Sequence, residues 1–222
     1  MDNIVKIFRE SLSMSVKAPV LFMPLMVIGL MNSFVSVFWL GPANPAEIVG
    51  IGVYAPVLSI GVISMLAFIA VGPTIAMAKE LWERDSTSLD IAFAFLKERF
   101  KALFIAGFLS SLIIFAGVVF FFIPGVIAAY LLQFTFPALV VKQVSGTEAI
   151  RESCVSVRAN IAYSLMAFIG LILVGFIIGI LGGLFSAIPL IGKFLSSIFG
   201  ALIGGYSSVV IIRVYMTLPN KT

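Results

Sequence analysis

Histidine is absent from the 222-residue chain, and cysteine occurs once, as Cys154. Without histidine the chain lacks the commonest acid–base group near neutral pH and the commonest metal ligand, and no Ser–His or Cys–His nucleophile can be assembled. A single cysteine excludes an internal disulfide. Charge is scarce as well, at 11% of residues against about 25% in globular domains. Neither a G-x-x-x-x-G-K-[ST] loop nor a strand-borne G-x-G-x-x-G turn occurs, so nucleotide binding is not expected. In "KELWERD" the acids Glu80, Glu83 and Asp85 alternate with Lys79 and Arg84, which reads as a solvated charged turn rather than a metal site. No enzyme, cofactor or metal is expected. The net charge of +4 is too small to suggest nucleic acid.

Apolar residues dominate instead, at 61% with 21 phenylalanines. A soluble chain this apolar would have too little polar surface to cover itself, so the expected solvent is a membrane. Apolar runs occupy residues 18–40, 48–78, 102–141, 161–191 and 194–212. The first begins late and is followed by no small-residue cleavage site, so it reads as a retained span rather than a signal peptide. A bilayer core of roughly 30 Å takes about 20 helical residues to cross, and the 102–141 run is twice that. Pro124-Gly125 divides it. If the pair is a helix-hairpin turn, 13 of the 14 basic residues share one side and only Lys193 lies opposite. If it is a kink, the division falls to 9 and 5. Basic residues in short loops mark the cytoplasmic side, so the turn is preferred. The expected fold is all-α: an integral membrane bundle of six transmembrane helices in a single domain, at about 19–40, 50–77, 102–123, 126–141, 161–185 and 194–215, in the cytoplasmic membrane with both termini cytosolic. The outer face would then hold little beyond "GPANPAE" with Glu47, the Pro-Gly turn and "AIPLIGK".

Three cytosolic segments are amphipathic and are expected to form interfacial helices at 3–17, 88–101 and 147–160. Their apolar stripes are Ile4, Val5, Phe8 and Leu12; then Leu89, Phe93, Leu96 and Phe100; then Ile150, Cys154, Val157 and Ile161. Ser88 and Thr147 are candidate caps for the second and third. Each precedes an outward span, so the chain reads as a loose threefold repeat of interfacial helix, span, external turn and returning span. Such helices either lie on anionic lipid or dock a cytosolic partner, for which 79–101 is the candidate segment.

Asp, Glu and Lys are missing from the interior of every expected span, which argues against ion-driven transport. Asn32 and Gln133 are the candidate intramembrane polar site, either bonding between helices or lining a cavity. Gly175, Gly179 and Gly183 recur every four residues, as do Ser196, Gly200, Gly204 and Ser208. Such faces let helix backbones approach closely, within the chain or in a homo-oligomer.

Between residues 86 and 165, Ile123, Pro124 and Gly125 end one span; "QFTFPALVV" follows, then Glu148, Ala149 and Ser153 in "SGTEAIRES", then Asn160. This pattern resembles the bacterial and archaeal family that includes the membrane domain attached to some glycerophosphodiester phosphodiesterases. The resemblance implies a six-helix bundle. Hydrolysis in that family belongs to a separate soluble domain, so it implies no catalytic residue here. Three functions remain open: binding or moving a lipid-like or small neutral solute, scaffolding a cytosolic partner, or forming an oligomeric channel.

Overall fold

The computed structural model describes residues 2–34, 54–120, 122–186, 188 and 191–219, with backbone alone for 2, 3, 54–68, 119 and 186. Every regular element among them is helical: α1 (Asp2–Lys17), a short 3-10 turn (Pro19–Phe22), α2 (Met23–Phe34), α3 (Tyr54–Arg84), α4 (Leu89–Phe120), α5 (Phe122–Leu132), α6 (Thr135–Lys142), α7 (Gly146–Ala159), α8 (Ile161–Ser186) and α9 (Ile191–Met216). Among the described residues four stretches are long and apolar enough to cross a membrane: Leu89–Val118, Phe122–Lys142, Ile161–Phe185 and Ile191–Met216. α1 and the segment Pro19–Phe34, bent by 95° at their junction, pass the same test as a pair. The chain is therefore a helical, multi-pass membrane protein. The expected outer loop with Glu47, and residues 187, 189 and 190 of "AIPLIGK", lie outside the described residues.

α4 ends at Phe120 and α5 begins at Phe122, so that Pro124 and Gly125 sit inside the first turns of α5. Proline suits an opening turn, where its missing N–H would have no intrahelical acceptor. Gly125 serves contact instead. A Cβ there would lie 2.7 Å from the Val118 backbone nitrogen, and one on Gly117 would lie 2.8 Å from the Gly125 Cα. At the opposite end Gly146 abuts the backbone of Ala102 and Ala106, and Arg99 donates to the Gln143 carbonyl at 2.8 Å. α5 and α6 thus run back along α4 as a hairpin.

The second and third interfacial segments differ from expectation. Residues 88–101 do not form a separate helix, because α4 runs unbroken for 32 residues from Leu89. "LKERFKALF" contains no glycine or proline to interrupt it. The cap of α7 is Ser145 rather than Thr147. Its hydroxyl accepts from the Glu148 N–H, and the Glu148 carboxylate accepts from the Ser145 N–H at 3.0 Å. This capping box satisfies two groups at the helix entrance.

α1 packs by a face offset from its apolar stripe. Ile4, Ile7, Ser11 and Ser15 are buried, whereas Val5 and Leu12 are 70% and 59% exposed. Phe8 lies over Gly170 of α8, and its carbonyl accepts from the Tyr206 hydroxyl of α9 at 3.1 Å. The remaining surface divides into an apolar strip of Val5, Leu12 and Val16 and a polar strip with Lys6, Glu10 and Lys17. Such a helix meets protein, lipid and water on three sides.

The deepest packing lies where α3, α6, α7 and α9 converge. Phe134, Leu139, Val157, Val209, Val210, Ile212 and Val214 are wholly buried there. Trp82 donates to the Val209 carbonyl at 3.0 Å, and the Arg213 guanidinium lies over its ring at 4.5 Å.

Candidate functional site

The most polar feature inside the bundle arises from a break between α5 and α6. Pro137 occupies the third position of α6 and has no N–H to offer the Gln133 carbonyl one turn back. The helix therefore opens at Gln133 and Phe134. Ser153 of α7 closes the gap: its hydroxyl donates to the Leu131 carbonyl at 2.7 Å and accepts from the Phe134 N–H at 3.0 Å. Broken backbone persists at membrane depth only where such partners are supplied.

Opening the helix turns Gln133 toward α8. Its amide nitrogen donates to the Ser164 carbonyl at 3.4 Å, while its buried amide oxygen completes no hydrogen bond. Ser164 also donates to the Asn160 carbonyl, and the Tyr130 hydroxyl donates to the Ile161 carbonyl at 3.0 Å. Gln133 forms part of the wall of a crevice of about 380 Å³ between α3, α6, α8 and α9. Val71, Ile75, Phe136, Phe168, Leu171 and Ile211 make it apolar, and Gly204, Ser207 and Ser208 line its α9 side. A predominantly apolar cleft with a few polar groups is the usual form of a small-molecule site. A second groove, of about 300 Å³ between α2, α3 and α4, is lined by residues such as Met23, Val27, Ala70, Pro73 and Leu96 and carries no side chain able to orient a ligand.

Asn32 does not join Gln133. It is exposed on α2, whose neighbouring Ser33 donates to the Lys193 carbonyl and meets Ser197 at the far end of α9. Gln133 faces Gly204–Ser208, at least seven residues or roughly 10 Å along that helix. Among the described residues, the crevice that Gln133 lines does not include Asn32.

The glycine faces are also redistributed. A Cβ on Gly179, Gly183 or Gly200 would meet nothing within 4 Å, and one on Gly175 would meet only Ile203, at 4.0 Å. α8 and α9 instead meet through Gly182 over Phe199 and through the stacked rings of Phe185 and Phe199, 5.4 Å apart. Gly204 receives Leu25 of α2. Ser196 and Ser208 bond to carbonyls of their own helix, at Lys193 and Gly204. Spacing alone could not identify the close contacts, because Gly72, Gly117, Gly146 and Gly170 follow no four-residue series.

Four of the positions that carry the family resemblance have structural tasks. Glu148 completes the capping box, Ala149 is fully buried, Ser153 bridges the broken helix, and Asn160 holds the Ser156 carbonyl at 3.0 Å. Among the described residues no group of three or more His, Cys, Asp or Glu side chains is placed to hold a metal ion. Comparison with family models, curated proteins and solved structures finds no match to this chain.

Proposed function

We propose that the protein binds a neutral, lipid-like molecule or small neutral solute in the Gln133 crevice, without catalysing its conversion. The observation that carries this reading is a side-chain amide on the wall of an apolar crevice, with its oxygen lacking a hydrogen-bond partner. Gln133, Ser207 and Ser208 are the polar residues of this wall, and a hydroxyl or amide on a ligand can exchange hydrogen bonds with them. The apolar walls suit an alkyl or ring portion, and nothing charged lines the crevice to demand a counterion.

The reading includes six spans with α3 as the second, both termini cytosolic, in the cytoplasmic membrane. The hairpin between α4 and α5–α6 supports it by bringing Arg99 against Gln143, which puts the basic ends of both segments on one side. In a Cys154→Ser background, a cysteine at Ala187 should react with an impermeant thiol reagent in intact cells and one at Ser86 should not. Labelling at Ser86 from outside overturns this topology.

The binding claim is tested by native mass spectrometry of gently purified protein. One neutral amphiphile or solute in stoichiometric amount is the expected result, with its occupancy reduced in Gln133→Leu. An empty wild-type protein, or equal occupancy in the variant, overturns the assignment.

A further inference from the structure

A polar cavity lies where the C-terminal ends of α3, α6 and α9 meet α7. Its volume is about 240 Å³, and its walls include Lys79, Glu83, Lys142, Glu152, Ser156 and Tyr215. It continues the seam that holds the Gln133 crevice, since Val71, Ile75, Lys79 and Glu83 recur every four residues on α3. The two cavities have different chemistry. The crevice carries no charge, whereas this pocket brings together two lysines and two glutamates and is therefore neutral overall.

The charges are already organised as pairs. Lys79 faces Glu83 at 3.8 Å, and Lys142 contacts Glu152, which also accepts from Ser156 at 3.3 Å. A simple anion would find each lysine beside a carboxylate, and a simple cation would find each carboxylate beside a lysine. A ligand carrying both signs can extend both pairs at once. Tyr215, 5% exposed, adds a buried hydroxyl beside Ser156 and Glu152.

We propose that this pocket binds a phosphate ester of a small primary amine, with its ammonium between Glu83 and Glu152 and its phosphate toward Lys79, Lys142 and the Tyr215 hydroxyl. Ethanolamine phosphate has this chemistry, as the headgroup of phosphatidylethanolamine or as a soluble ester. The position at the helix ends is where headgroups meet a bundle. The inference does not depend on what the Gln133 crevice holds.

Thermal unfolding of the full chain in detergent tests it. Short-chain phosphatidylethanolamine, phosphatidylglycerol of the same chain length, and soluble glycerophosphoethanolamine are titrated separately. Saturable stabilisation by phosphatidylethanolamine but not phosphatidylglycerol supports the pocket with lipid as its source. Stabilisation by glycerophosphoethanolamine equal to that by the lipid supports the same chemistry with a soluble source. Equal stabilisation by phosphatidylglycerol, or no response to either ethanolamine compound, overturns the proposal. Tyr215→Phe should weaken the apparent affinity about five- to tenfold, the worth of one hydrogen bond. Unchanged affinity in that variant removes Tyr215 from the site and overturns the assignment as stated.

Discussion

The spans Phe122–Lys142 and Ile161–Phe185 are neighbours in sequence and differ sharply in what surrounds them. Half of the most apolar stretch of the first is buried in the protein, against 11% of the second. The second is nevertheless the more apolar, with a mean hydropathy of 2.8 against 1.7. In water that order would be a defect. In a bilayer it is expected, because lipid tails are as apolar as leucine and exposing Ile172, Leu173, Phe176 and Ile177 costs nothing. The less apolar span carries the break, Gln133 and Thr135, and needs protein around it to meet its backbone groups.

The contrast can be broken most severely at Gly146, in the packed region. A Cβ there would lie 2.5 Å from the Ala102 carbonyl oxygen and 2.8 Å from the Ala106 nitrogen, and backbone cannot swing aside. Gly146→Val should destabilise by about 3 kcal/mol and separate α7 from α4, seen as a large fall in melting temperature in detergent. Retention of the wild-type melting temperature would show that α7 does not dock in this way.

Ser153→Ala comes next. It withdraws a donor from the Leu131 carbonyl and an acceptor from the Phe134 N–H together, and should cost about 1–3 kcal/mol. Hydrogen exchange should rise at Phe134 in particular. A uniform rise along α5 and α6 would mean that Ser153 supports the bundle generally rather than the break.

In the lipid-facing span the expected sign changes. Gly179→Leu meets no atom within 4 Å of its Cβ and replaces a poor helix former with a good one. Its melting temperature should match or slightly exceed that of the wild type. A marked loss of stability, or the appearance of monomers from a larger species, would show that the Gly175–Gly179–Gly183 face contacts another copy.

The smallest effect belongs to the cap of α7. Glu148 titrates below the usual carboxylate value of 4.5, first because the Ser145 N–H donates to it and then because the Ser145 hydroxyl does. A carboxylate with a depressed folded value stabilises fully above its unfolded value and loses that contribution as pH falls through the folded one. Melting temperature should therefore fall slightly below pH 4.5. Glu148→Gln should remove this slope; an identical slope in the variant assigns it to other carboxylates.

The membrane class was legible because composition and run length set it without reference to contacts. The capping box was nearly legible: Ser145 and Glu148 have the required spacing, but Thr147 is an equally acceptable cap residue by type. The hairpin was legible as a need for reversal, whereas its position was not, since proline and glycine are compatible with both a turn and a helix entrance. α1 was misaligned because an apolar stripe reports a preference for leaving water, and in a membrane protein lipid satisfies that preference as well as protein does. Gln133 stood out as a costly amide within a span, but its partner at Ser164 lies 31 residues away and on another helix.

The sequence by itself determined that this chain is helical, enters a membrane and crosses it more than once, because each of those properties is a sum over local residues. Tertiary structure alone decided which glycines admit a neighbour, which serine bridges a broken helix, and which amide opens onto a crevice. Those outcomes depend on what stands opposite a residue. In lipid, where burial of apolar surface supplies no force between helices, the opposing surface must be matched by shape and hydrogen bonds rather than by hydropathy.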